Sequence, residues 1–149
     1  MADTTQAFEA SFNEGFGRAT AHPCPPSESF SFCGTGTITG FGDATSVTEV
    51  VSFEDFDPAT LCGDVVSRRT ITLEDGSTLV LLETGTVCFR AAPNPGSEKS
   101  FGGPYTVEQT FTIVTGTGVF TGAQGTGTVD IKAAGDSSHS TLSGSITLP

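Results

Sequence analysis

Between Val65 and Phe89 the chain alternates apolar and polar positions with a period of two. Val65, Ile71 and Leu73 fall on one face of VVSRRTITL, and Leu79, Leu81, Val87 and Phe89 continue it in STLVLLETGTVCF. This period marks a half-buried β-strand, because successive side chains point to opposite sides of the pleat. The same reading predicts strands over Phe8–Phe16, Ser29–Gly40, Thr45–Phe53, Val65–Leu73, Ser77–Phe89, Tyr105–Val114, Gly118–Phe120 with Gly125–Lys132, and Ser138–Leu148. Turn residues separate most of them, as in an all-β barrel or sandwich. An open sheet would expose two sticky edges, and closure removes both. The expected fold is all-β, a closed eight-stranded antiparallel β-barrel forming a single domain over residues 1–149. The segments ATAHPCPPSE and AAPNPGSEKSFGGP read as long loops and as candidate lids over one barrel mouth.

Glu74-Asp75-Gly76 separates two of these runs. A three-residue loop of this kind closes as a type I turn with a left-handed glycine, which leaves a bulge and sets Leu73 opposite Ser77. Cys62 lies eleven residues before Leu73 and Cys88 eleven after Ser77, so the two cysteines face each other. An odd number of steps from a hydrogen-bonded closing pair lands on a non-hydrogen-bonded pair, where Cα atoms approach to about 4.5 Å. That separation suits a disulfide. By elimination Cys24 pairs with Cys33. A metal site is the rival use of four cysteines, but there is no CxxC, and His22 and His139 lack ligand spacing. Neither a metal nor a cofactor is expected.

Alternation also assigns the remaining side chains to faces. Ser67, Arg69 and Glu83 share the apolar face of the central hairpin. In Thr45–Phe53 the apolar set Val47, Val51 and Phe53 carries Glu49 inward. In Tyr105–Val114, Val107, Phe111 and Ile113 carry Tyr105 and Gln109, and the aromatic face of Phe8–Phe16 includes Glu14. Arg69 sits opposite Leu81 and diagonal to Glu83, within pairing reach in a ladder. A carboxylate in an apolar lumen has its pKa raised, as a general acid or base near neutral pH requires, and a buried arginine can hold an enolate or a ligand carboxylate. Arg69, Glu83 and Glu49 are therefore the candidate catalytic residues. Tyr105, Gln109, Phe111, Leu81 and Phe53 are the candidate ligand-binding residues. The competing structural reading is a salt bridge that braces the barrel, or a bulge that turns both charges outward. Glu14 and Glu49 lie near strand ends, where carboxylates usually meet water.

Composition narrows the partners. Twelve Phe, one Tyr and no Trp suit a pleated sheet and an apolar cavity wall. A net charge of −11 with six basic residues excludes nucleic acid and disfavours an anionic membrane surface. No apolar run has the length to span a bilayer. MADTTQAFEASF shows no signal peptide, yet four cysteines in a small acidic chain point to an oxidising compartment. The expected location is secreted or extracytoplasmic, with any leader already removed.

The stretch TGTGVFTGAQGTG, Thr115 to Gly127, holds five glycines in thirteen residues and decides between a nucleotide loop and a barrel corner. GxGxxG would need glycine at Thr121, GxxxxGK would need a lysine, and both need a helix to follow. GTGTVDIKAAG follows instead, which alternates like a strand. Glycines then serve close backbone approach where a small barrel curls shut, with Phe120 as a plug. Thr-Gly clusters without a fixed period exclude a solenoid.

At these residues the chain resembles the allene oxide cyclase-like barrels, a fold shared with dirigent proteins. GTGVFTGAQGTGTV is similar to their GTGxFxGAxGxGT signature, while GTGTITGFGDATSVTEVVSF and LEDGSTLVL resemble strands of small secreted bacterial members. The resemblance runs from about Gly34 to Leu148. It implies an eight-stranded barrel with an apolar lumen, dimers or trimers, and cofactor-free cyclisation or coupling of small apolar molecules. No catalytic motif carries over. The functional expectation is a barrel that binds a small apolar or amphipathic molecule, as a cyclase or isomerase. The alternatives are a non-catalytic carrier and a structural secreted protein with a filled lumen.

Overall fold

The computed structural model describes residues 3–16, 30–90, 104–134 and 137–149. Its strands are β1 (Thr4–Phe16), β2 (Phe30–Ile38), β3 (Gly42–Asp57), β4 (Cys62–Leu73), β5 (Thr78–Phe89), β6 (Tyr105–Gly116), β7 (Gln124–Ala134) and β8 (Ser137–Leu148). Each pairs antiparallel with the next. β8 returns to β1, from Thr4 opposite Leu148 to Gly15 opposite Ser137, so the sheet closes into an eight-stranded barrel. Among the described residues no helix is long and apolar enough to cross a membrane.

One expected strand segment is corrected. Gly118–Phe120 is a 3₁₀ turn, not part of β7. Gly118 has φ of +60°, a left-handed value that breaks an extended run. The turn is tied to the central hairpin by the Val119 N–H, which donates to Ser77 Oγ at 3.1 Å. It drives Phe120 into the barrel, where it is fully buried and its ring lies 4.8 Å from that of Phe41.

The strand glycines of this region work by close approach. A Cβ on Gly127 would lie 2.3 Å from both the Phe111 ring and the Ser143 carbonyl oxygen. On β2, a Cβ on Gly34 would lie 1.8 Å from the Asn13 carbonyl oxygen of β1. Neighbouring backbones occupy the space a side chain needs, as strong coiling of a small barrel demands.

The central hairpin has the expected geometry. Leu73 N–H donates to Ser77 O at 2.9 Å and Gly76 N–H to Leu73 O at 3.0 Å. Gly76 takes φ of +90°, and the Asp75 carboxylate accepts the Ser77 N–H at 2.8 Å. That hydrogen bond holds the Asp75 carboxyl below its ordinary pKa. The ladder runs unbroken from Thr72 opposite Thr78 to Cys62 opposite Cys88. These two cysteines form a disulfide with Cα atoms 4.0 Å apart. Of the second expected pair, Cys33 is buried on β2, and Cys24 lies outside the described residues. The two candidate lid segments also lie outside them, save Pro104.

β3 departs from the simple alternation. Ala44, Ser46, Thr48 and Val50 face inward, opposite Leu73, Ile71, Arg69 and Ser67. A bulge between Val50 and Ser52 then inverts the strand, so that Phe53 pairs with inward Val65 while Val51 is 61% exposed. Glu49 consequently lies on the outer face opposite Arg68, not in the lumen. Alternation traced back from Phe53 crosses the extra residue and assigns the wrong face.

Candidate functional site

The inward face of several strands reads apolar, polar, apolar along its length. β4 presents Val65, Ser67, Arg69, Ile71 and Leu73, and β5 presents Leu79, Leu81, Glu83 and Val87. The barrel superposes these polar positions into one layer. On one side lies a packed core that includes Phe8, Phe12, Ile71, Leu81, Phe111 and Phe120. On the other lies a smaller cluster of Val65, Val87 and Val107.

Arg69 is the centre of the layer and its side chain is completely buried. Nε donates to Glu83 Oε2 at 2.8 Å, Nη1 donates to Glu14 Oε1 and to Ser46 Oγ at 3.0 Å, and Nη2 donates to Ser140 Oγ at 3.2 Å. Glu14 is supported by Thr48, whose hydroxyl donates to Oε2 at 2.9 Å, and by the Ser140 hydroxyl, which donates to Oε1 at 3.1 Å. Gln109 Nε2 donates to Ser67 Oγ at 3.1 Å and to the Glu83 carbonyl at 3.3 Å. Arg69 Cζ stands 5.6 Å from the centroid of the Phe12 ring, so the layer rests on the packed core through a cation–π contact.

A guanidinium this deep is tolerable only with partners, and the titration behaviour reflects that. Burial works against the Arg69 charge, but Glu14 and Glu83 outweigh it and hold the guanidinium above its ordinary pKa. Burial is also the largest influence on Glu83 and pushes its carboxyl above the usual range, against the pull of Arg69. Tyr105 is pushed up to about 12, by burial first and by Glu14 second.

Beyond the layer the described residues leave the lumen open. A cavity of about 410 Å³ is walled by Val50, Val65, Val87, Phe89, Val107 and Ile131, and Glu14, Ser67, Arg69 and Gln109 contribute to its floor. Small-molecule sites span about 300–1,000 Å³, so the space suits a small ligand. Phe53, Phe89 and Tyr105 line the same cavity. The Phe89 ring lies 6.3 Å from Phe53 and 5.6 Å from Tyr105.

The residues singled out by alternation therefore separate into groups. Arg69 and Glu83 meet as an ion pair, and Tyr105, Gln109 and Phe53 line the cavity. Phe111 and Leu81 point inward but belong to the packed core, so neither lies against the cavity. Glu49 is outside the barrel. Glu14 has the opposite fate: a strand-end carboxylate expected in water is 5% exposed and bonded to Arg69. Ser46, Thr48 and Ser140 were signalled only by small polar residues recurring at inward positions. Among the described residues no group of His, Cys, Asp and Glu is placed to hold a metal ion. A scan of protein-family models and searches of curated proteins and of solved structures find no match to this chain.

Proposed function

We propose that the protein binds a small apolar molecule in the open half of its lumen, as a carrier or sequestering protein. One observation carries this reading: beside the packed core, the described residues leave a cavity of about 410 Å³ between valine and phenylalanine walls. Protein interiors normally close such space, because an unfilled apolar cavity forfeits packing energy. Membership among the allene oxide cyclase-like barrels, secretion, and assembly into dimers or trimers belong to the same proposal and rest on the sequence features above.

A cofactor-free cyclase or isomerase is the second reading. The raised pKa of Glu83 gives it the character of a general acid. Against this, Glu83 does not line the cavity, and Arg69 directs donors to Glu83, Glu14, Ser46 and Ser140. Bracing of the barrel accounts for that arrangement more simply than turnover does.

The test is fluorescence titration with the neutral apolar probe N-phenyl-1-naphthylamine, on the parent and on Val107→Trp, which places a large ring in the cavity wall. Saturable one-to-one binding by the parent and its loss in a folded variant support the proposal. No binding by the parent, or equal binding by both, overturns it.

A further inference from the structure

The cavity floor is asymmetric in its hydrogen bonding. Most of its donors are engaged: four of the five Arg69 N–H groups address Glu83, Glu14, Ser46 and Ser140, all within the layer. The Gln109 amide is oriented by Glu83 O at 3.3 Å and Val65 O at 3.5 Å. Backbone carbonyls only accept, so Nε2 must face them and the amide cannot be turned over. Gln109 Oε1 is left as the one buried side-chain polar atom without a partner among the described residues. Native interiors rarely tolerate such an orphan, and each one calls for a missing donor.

Charge points the same way. Two carboxylates, Glu14 and Glu83, share one guanidinium, and Arg69 is the one Lys or Arg among the described cavity-lining residues. Glu14 lines the cavity, and among the described residues its Oε2 receives the Thr48 hydroxyl alone, so a carboxylate oxygen has capacity for a further donor. An incoming carboxylate would meet the like charge of Glu14 beside an arginine that already holds two carboxylates. An incoming ammonium would meet acceptors.

Resting on the reading of the lumen as an apolar binding site, we propose that its ligand is an apolar molecule ending in a protonated amine. The ammonium donates to Glu14 and Gln109 Oε1 while the hydrocarbon body fills the valine-lined space. A hydroxyl head satisfies Gln109 without balancing Glu14 and binds less tightly. A carboxylate head is rejected. This reverses the expectation that Arg69 holds a ligand carboxylate.

Calorimetric titration at neutral pH with four probes of common shape tests this: naphthalene, 2-naphthylmethylamine, 2-naphthylmethanol and 2-naphthoate. The amine is expected to bind about tenfold or more tighter than the carboxylate, with the alcohol between them. Glu14→Gln and Gln109→Leu, each checked for fold by circular dichroism, should each reduce the amine's advantage over naphthalene and over the carboxylate severalfold. A carboxylate that binds as well as the amine, or an advantage untouched by both substitutions, overturns the head-group assignment alone. Failure of naphthalene and all three derivatives to bind overturns the apolar-site reading beneath it.

Discussion

Arg69 on β4 is ion-paired with Glu14 on β1, a strand three places away around the barrel. The contact crosses the lumen instead of following the sheet, and Arg69 holds Glu83 of adjacent β5 with the same guanidinium. One side chain thereby ties two distant arcs of the wall at a single level. The packed core lies on one face of this tie and the cavity on the other.

Removing the shared cation should be far worse than neutralising one anion. Arg69→Met leaves two buried carboxylates without a counter-charge and is expected to destabilise by about 3–5 kcal/mol. Glu83→Gln keeps an acceptor for Arg69 Nε and leaves the Glu14 pair intact, so its cost is expected to stay near 1 kcal/mol. Urea unfolding at pH 7 of both variants checks the ordering, and equal losses would contradict it.

The pH dependence of stability has a definite sign at Glu83. Its folded pKa lies above the ordinary 4.5, so between the two values the folded chain binds more protons than the unfolded chain. The contribution is fully present below about 4.5 and is lost as pH rises through the folded pKa. Relative to Glu83→Gln, the parent should therefore lose unfolding free energy as pH rises above about 4.5. A constant gap between the two proteins would show that Glu83 titrates alike in both states.

Gly127→Ala tests whether barrel curvature depends on missing side chains. The new methyl would meet both the Phe111 ring and backbone of β8 at 2.3 Å, and backbone yields poorly. A loss of about 3 kcal/mol is expected. The same substitution at Gly76 in the hairpin meets no neighbour, yet the φ of +90° makes it costly through strain of about 1–2 kcal/mol. Thermal melts of the two variants separate packing from conformational strain.

The disulfide joins Cys62 to Cys88, at a sequence separation of 26. Replacing both cysteines with serine should lower stability by about 3 kcal/mol, chiefly by freeing the unfolded chain. Since the bridge lies on the outer face, probe binding by the still-folded variant should be unchanged.

What was legible in the sequence follows from how far counting can be carried. Glu74-Asp75-Gly76 sets the register of one hairpin, and an unbroken ladder extends it to Arg69, Glu83 and the cysteine pair. On β3 the count fails because the bulge at Val50 and Ser52 has no glycine or proline to announce it, so Glu49 is placed on the wrong face. Phe111 and Leu81 show a different limit: alternation gives the face of a residue but not its depth along the barrel. Glu14 and Ser140 meet Arg69 only after β8 has closed on β1, a relation absent from any single strand.

The division of the lumen is measured most directly by intermolecular nuclear Overhauser effects between naphthalene and the methyl groups of the protein. The account predicts contacts to Val65, Val87, Val107 and Ile131, and none to Ile71, Leu79 or Leu81 beyond the Arg69 layer. Contacts to the second set, or no contacts at all under saturating naphthalene, would contradict it.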